Sequence, residues 1–384
     1  MRPVLLTVLL LFVVSQTLAQ PSSTFQTEAV EGILMDVESG AVLFEKQADK
    51  LFAPASMSKV MTLALLFKKL KAGEISLETE FPVSLNAWKT GGAPSRTSAM
   101  FIPLNTTAKV GELIQGIAVQ NGNDACIAVA EGLAGTEDSF AQMMTDEARA
   151  IGLEKSTFGN SSGLPHPANL MTARELAKLA IYVIHEYPEQ YSYFAQKDFK
   201  YRVHNFVNLN PLLAANIGAD GLKIGFTEGA GYGIVASAVK DGRRLVMVLN
   251  GFEKEKDRKE DSTKLLAWGF TNFKAYKVFN SGDVVGEARI WGSDKRHISL
   301  KTKSDIKILL PVAAKDQRIK AQIVYKGPLK PPVKDGDKVA EVRITSEAGT
   351  SNAAPLYAAE DMQPAGMVTK GIDSLVFLTF GWIL

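Results

Sequence analysis

The chain has 384 residues, with 43 Lys and Arg against 41 Asp and Glu and a net charge of +2. That balance offers no basic face for nucleic acid, and a single cysteine rules out an internal disulfide. The length favours two domains over one.

Residues 1–19 have the form of a secretory signal. Arg2 supplies the positive start, Val4 to Val14 are nearly all apolar, and Thr17-Leu18-Ala19 suits cleavage after small residues. Gly32 to Asp36 and Ala41 to Phe44 flank Glu38-Ser39-Gly40 and read as a hairpin. Next comes Pro54-Ala55-Ser56-Met57-Ser58-Lys59, followed by Val60, Met61, Leu63, Ala64, Leu66 and Phe67 at helical spacing. Lys68, Lys69 and Lys71 close this run, with Gly73 beyond it, so a buried helix of about four turns should open at Ser56. Ser56 and Lys59 then lie one turn apart on one face. A serine hydroxyl needs a base to attack, and a lysine freed of its proton by burial is such a base. Free N–H groups at the helix start could receive an oxyanion. The same Ser-x-x-Lys spacing recurs at Ser237–Lys240 and Ser304–Lys307. The first lies in a strand, where positions three apart face opposite ways. The second has no helical run. The spacing alone fits a capping serine beside a solvated lysine equally well, so residues elsewhere must decide.

Residues 74–109 are loop-rich and include the turn Lys89-Thr90-Gly91-Gly92-Ala93-Pro94. Val110 to Cys126 reads as helix interrupted at Asn121-Gly122-Asn123, with further helices over Asp124 to Leu133 and Asp138 to Ile151. Cys126 reads as a small packed residue. Gly159-Asn160-Ser161-Ser162-Gly163 matches a nucleophile elbow in letters, but Pro165 and Pro167 forbid the helix an elbow needs. Thr172 opens a helix through Ile184, with Glu175 placed for a capping box. Asp220 to Thr227 precedes a strand pair, Gly231 to Val239 and Arg244 to Leu249, joined through an Asp-Gly turn. Lys264 to Val278 reads as a last helix. Short alternating runs at 306–310, 319–325 and 339–344 then predict a small all-β domain. Gly349 to Pro364 reads as a linker. The chain ends in an apolar, aromatic segment whose last ten residues would reach only about 15 Å as a helix. That is half a hydrocarbon core, which predicts a helix lying in a membrane surface.

Ser56-x-x-Lys59, Asn121-Gly122-Asn123 and Lys223-Ile224-Gly225 occur in that order. The series resembles the Ser-x-x-Lys, Ser-x-Asn and Lys-Thr-Gly motifs of penicillin-binding proteins and serine β-lactamases. The wording around each motif is most similar to the D-alanyl-D-alanine carboxypeptidases, the low-molecular-mass penicillin-binding proteins. Pro54 to Thr62, Gln120 to Cys126, Gly163-Leu164-Pro165 with Thr172-Ala173, and Gly229 to Tyr232 carry that likeness. Lys89-Thr90-Gly91 matches the third motif better in letters, but precedes the second motif and lacks a strand.

The resemblance implies an α+β chain. Its parts are a signal over 1–19, and a catalytic domain over 20–277 with an antiparallel sheet beside a helical cluster. A small all-β domain over 278–361 and an amphipathic anchor over 362–384 follow. It implies a serine carboxypeptidase that removes the terminal D-Ala from peptidoglycan stem pentapeptides through an acyl-enzyme on Ser56. β-Lactam antibiotics would bind covalently at the same serine. Lys59 would be the base, and Asn123 would hold Lys59 or the substrate backbone. Lys223 would face the substrate carboxylate, and the N–H groups of Ser56 and Phe226 would form the oxyanion hole. Asn121, Ile224, Gly225 and Arg244 would line the substrate. No metal or cofactor is implied. The protein would be exported to the periplasmic face of the inner membrane and held there by its C-terminal helix.

Two positions depart from the family pattern. Asn121 stands where the family has Ser, and an amide passes protons poorly. Ile224 stands where the family has Thr, which loses a hydrogen bond worth about 1.5–3 kcal/mol when its partner is charged. Both point to reduced turnover. The rival readings are a peptidoglycan-binding or morphology protein with a decayed site, and a β-lactamase. The β domain and terminal segment argue against the latter.

Overall fold

The computed structural model describes residues 25–313, 318–347 and 350–366. The signal at 1–19 lies outside the described residues, as does the terminal segment from 367 onward.

Strands β1 (Glu31–Asp36) and β2 (Val42–Lys46) form the expected hairpin. A 3-10 turn over Ala55–Ser58 leads into α1 (Lys59–Lys71), whose first nine residues are all buried. The apolar stripe explains part of this. The rest follows because α2 (Val110–Ala118), α3 (Asn123–Ala134), α4 (Glu137–Ala150) and α5 (Ala173–Glu186) pack around it. A two-stranded ladder, β3 (Glu80–Pro82) with β4 (Thr107–Lys109), brackets the loop before α2. Thr172 caps α5 by accepting from the Glu175 N–H at 3.1 Å. The Glu175 carboxylate does not complete the box; it accepts from the Lys155 N–H and the Ser156 hydroxyl. The short α6 (Pro188–Tyr191) and the hairpin β5 (Asp198–Tyr201) and β6 (His204–Val207) lead to the main sheet.

That sheet adds β7 (Ala219–Thr227), β8 (Gly231–Lys240) and β9 (Arg243–Phe252) in the order β2-β1-β9-β8-β7, all antiparallel. Asp241 and Gly242 both take positive φ, 51° and 77°, as the tight turn between β8 and β9 demands. Alternation divides the sheet's side chains. Ile33, Val235, Val246 and Val248 join the helical core, while Leu34, Ile234, Ala236, Leu245 and Met247 meet α7 (Glu255–Asn272). β7 is the edge strand beside α1.

The helix expected over 264–278 is corrected at both ends. α7 begins at Glu255, its polar first half turning Arg258, Asp261 and Ser262 inward and leaving the charged residues between them to solvent, and it stops at Asn272. Phe273–Phe279 is a strand, β10, paired with β13 (Ile306–Pro311). The linker expected over 349–364 is also corrected. Ser351–Ala358 forms β16, paired along its length with β15 (Lys338–Ser346). Small residues do not prevent pairing, since the ladder uses backbone groups. Pro355 is tolerated because the partner on its other side, β12 (His297–Lys301), meets β16 only at Tyr357 and Ala358. With β11 (Val284–Arg289) and β14 (Ile319–Val324) these strands complete a five-stranded sheet, β11-β12-β16-β15-β14. Ile298, Leu300, Ile308, Leu310, Val342, Ile344 and Leu356 fill its core.

Candidate active site

Ser56 sits in the 3-10 turn and Lys59 opens α1, so one turn of chain places the amine beside the hydroxyl. Lys59 Nζ lies 2.8 Å from Ser56 Oγ, 2.7 Å from Asn123 Oδ1 and 2.5 Å from the Ser162 carbonyl oxygen. Its side chain is fully buried. Burial pushes the Lys59 amine down to about 8, against smaller opposing pulls from Cys126, Asp124 and Glu137. A neutral amine has two N–H donors and one lone pair. Asn123 Oδ1 and the Ser162 carbonyl take the donors, which leaves the lone pair for the Ser56 hydroxyl proton. The geometry therefore suits a base.

The supports of this triangle come from separate elements. Asn123 opens α3 and donates through Nδ2 to Thr97 Oγ1 at 2.9 Å. Its neighbour Asp124 is buried and accepts from the N–H groups of Met100, Ile102 and Ala125. Those bonds pin the loop before α2 onto the second motif. Burial outweighs them and raises the Asp124 carboxyl. Cys126 is buried, with its thiol pushed up to about 12 by desolvation, and acts as a packed small residue.

Ser162 is the contact that sequence reasoning missed. Gly159 to Gly163 does not form an elbow; it forms the cradle behind the lysine. Thr62 Oγ1 donates to the Ser161 carbonyl at 2.6 Å, and Glu137 accepts from the Ser161 N–H and hydroxyl. Gly163 has φ +76°, and a Cβ there would stand 2.0 Å from the Ala55 carbonyl oxygen. The signal available in sequence was this glycine.

Lys223 and Gly225 come to the same cleft on β7, with the Phe226 backbone next along the strand and its ring, like Ile224, alternating to the other face. Gly225 faces Pro54 and Ser56, and a Cβ there would lie 3.2 Å from the Ser56 nitrogen. Lys223 is buried and donates to the carbonyls of Ile117 and Ala118, at 2.7 and 3.0 Å, where α2 ends. Burial, and then repulsion from Lys59, push its amine down to about 7. Phe226 is 49% exposed. Asn121 is buried in a left-handed conformation, φ 66°, and its Oδ1 has no hydrogen-bond partner among the described residues.

Two of the expected substrate-lining residues, Ile224 and Arg244, lie away from Lys223. Ile224 alternates away from Lys223 and packs half-buried on the α7 side of the sheet, among the apolar residues there. Arg244 pairs with Val239, four residues along β8 from the Val235 that pairs with Lys223. That is about 13 Å along a strand. The Arg244 guanidinium meets Asp220 at 2.8 Å, donates to Ser237 Oγ and covers the Tyr191 ring. It is a structural ion pair. Lys89-Thr90-Gly91 lies in a short π-helical segment, Ala87–Gly91, with Gly91 pressed against the start of α3.

Residues 15–253 match the family model described as D-alanyl-D-alanine carboxypeptidase. Residues 273–364 match that of the C-terminal domain of penicillin-binding protein 5. The chain is 33% identical to D-alanyl-D-alanine carboxypeptidase DacC of Escherichia coli (strain K12), over 97% of its own length and 92% of the relative's. Penicillin-binding protein 5 from Haemophilus influenzae superposes with a TM-score of 0.77 at 32% identity, covering 88% of this chain and 98% of that one. Penicillin-binding protein D2 from Listeria monocytogenes, solved in an ampicillin-bound form, superposes with a TM-score of 0.57 at 26% identity. It covers 65% of this chain and 100% of that one.

Proposed function

The chain belongs to the D-alanyl-D-alanine carboxypeptidase family, and we propose that Ser56, Lys59 and Asn123 carry its reaction. It is a serine-type carboxypeptidase of peptidoglycan metabolism that binds β-lactams. The observation that supports the residue roles best is the buried Lys59 amine, 2.8 Å from Ser56 Oγ with acceptors on its other sides.

The steps follow from that geometry. The stem peptide lies along the free edge of β7, where an unpaired strand accepts an extended chain. Lys59 removes the Ser56 proton as Oγ attacks the penultimate D-Ala carbonyl. The N–H groups of Ser56 and Phe226 hold the oxyanion. The Lys59 ammonium returns its proton to the leaving amine, and D-Ala departs. Water activated by the same amine then frees Ser56. Lys223 holds positive charge near the substrate carboxylate, whose arrival raises the amine's affinity for its proton.

The protein is exported, with residues 1–19 as its signal, and works on the periplasmic face of the inner membrane. Its terminal segment rests on that surface. Among the described residues no helix is long and apolar enough to cross a membrane. Its catalytic domain, expected over 20–277, and its β domain, expected over 278–361, meet just after α7, and the pairing of β10 with β13 supports drawing the boundary a few residues earlier, after Asn272.

The test is acylation by a fluorescent penicillin, followed by D-Ala release from a model pentapeptide. One adduct should form, on the peptide holding Ser56, with D-Ala released by the same preparation. An adduct that survives Ser56→Ala would sink the assignment. An adduct without any D-Ala release would favour the decayed-site reading that Asn121 raises.

A further inference from the structure

The site leaves an imbalance at the place where a ligand's carboxylate would sit. Lys223 spends donors on two backbone carbonyls, Arg244 is paired with Asp220, and Ile224 offers no donor. Phe226, the residue after Gly225, pairs across the strands with Tyr232, and their rings lie 4.3 Å apart. The Arg258 guanidinium on α7 stands over the Tyr232 ring, 5.6 Å from its centre. Arg258 is 1% exposed. Among the described residues its one carboxylate partner is Glu255 at 2.7 Å, whose own side chain is 68% exposed, and its Nε has no hydrogen-bond partner there. A guanidinium keeps its charge even when buried. A buried charge whose one acid partner is solvated, lying beside the Tyr232–Phe226 ring pair at the end of β7, projects its field through low-dielectric material. Glu228, in the turn after β7, is exposed and screened by solvent.

We infer that Arg258 is a specificity-determining residue: its under-compensated charge, lying beside the Tyr232–Phe226 ring pair, favours ligands that carry a carboxylate at the edge of β7. The inference rests on the reading of the cleft given above. Arg258 need not touch the ligand, and its effect is on choice between charged and neutral forms.

The test compares second-order acylation rates for a penicillin and its methyl ester, on the full-length protein and its variants. The acid-to-ester ratio within one preparation cancels any loss of folded fraction. Arg258→Gln should lower that ratio roughly three- to tenfold, the size of one unit charge acting over about 10 Å of partly screened medium. Arg258→Lys should keep most of it. Glu255→Gln, a surface change that removes the compensating acid, should raise the ratio about twofold. If Arg258→Gln slows acid and ester in proportion, Arg258 is structural and the inference fails. If Arg258→Gln does not fold, Glu255→Gln decides, and an unmoved ratio overturns the inference. A wild-type protein that forms no adduct at all would refute the reading of the cleft itself.

Discussion

Replacing Asn123 by Asp keeps the side-chain shape, turns the Nδ2 that donates to Thr97 Oγ1 into a second oxygen, and puts a carboxylate charge on the Oδ1 that lies 2.7 Å from the Lys59 amine. A unit charge at that distance attracts an ammonium by about 6 kcal/mol at an effective dielectric of about 20. Burying the new carboxylate offsets part of this, and keeping half leaves about 3 kcal/mol, or roughly two pKa units. The amine, held at about 8 in the native protein, moves up by that amount. A base must be neutral to act, so the neutral fraction near pH 7.5 falls roughly 100-fold, and the rate of acylation falls with it. The assay is the second-order rate of penicillin acylation from about pH 6 to 11, with the ascending limb expected near pH 10 rather than near pH 8. Asn123→Ala is the control. It removes a hydrogen bond worth about 1.5–3 kcal/mol and slows acylation roughly 10- to 150-fold without moving the limb upward. An Asn123→Asp enzyme with the native rate and limb would show that Lys59 acts as a fixed cation and is not the base.

Gly163→Ala should abolish acylation, because a Cβ there stands 2.0 Å from the Ala55 carbonyl and the residue needs φ +76°; labelling of purified soluble protein checks it. Lys223 is held at about 7 when folded and returns to about 10.5 when unfolded, so the unfolded chain binds the extra proton between those values. Its burden on stability is therefore full below about pH 7 and gone above about pH 10.5, and the Tm difference between Lys223→Met and native protein should grow as pH falls through that window. Ile224→Thr should cost about 1 kcal/mol of stability by placing a hydroxyl among apolar side chains, and should leave the acid-to-ester acylation ratio unchanged; a large rise in the ratio would show that residue 224 reaches the ligand. A chain shortened to end at Gly366 keeps the Ala365–Gly292 hydrogen bond; it should leave the membrane fraction without detergent and still react with penicillin.

How much of this could be read from sequence depends on the kind of atom each contact uses. Ser56 and Lys59 lie within one helical turn, so spacing predicts their proximity, while their chemistry depended on residues elsewhere in the chain. Lys223 and Ile224 divide by strand alternation, and that rule correctly sends Ile224 to the far face. Asn123 and Lys223 are far from Ser56 along the chain, and only the order of the motifs joins them to it. The Ser162 contact uses a carbonyl that every residue type carries, so no side-chain pattern could reveal it; Gly163 was the trace it left. Arg244 lies on the strand that sequence suggested, but its distance along that strand from Lys223 and its ion pair with Asp220 depend on register that sequence does not display. The first half of α7, Glu255 to Lys264, is almost wholly polar and hid the helix start. β16 was hidden because Ala353, Ala354 and Pro355 carry no strand preference, while the ladder to β15 is made by backbone groups.

The structure also separates the two departures that suggested a weakened enzyme. Ile224 is removed from the argument, since its side chain lies across the sheet from Lys223. Asn121 stays in it, with a buried amide oxygen that lacks a partner among the described residues. An unsatisfied buried acceptor costs about 1–3 kcal/mol, which a ligand N–H donor could recover on binding. That is a binding role, and it needs no proton transfer through an amide. The proton for the leaving amine then has one evident source, the Lys59 ammonium formed when Ser56 is deprotonated. It sits 2.8 Å from the oxygen that has just bonded to the carbonyl carbon, and so within reach of the nitrogen on that same carbon. One lysine can thus act first as base and then as acid. Loss of the family's serine removes a relay without removing this proton carrier, which is consistent with a working carboxypeptidase.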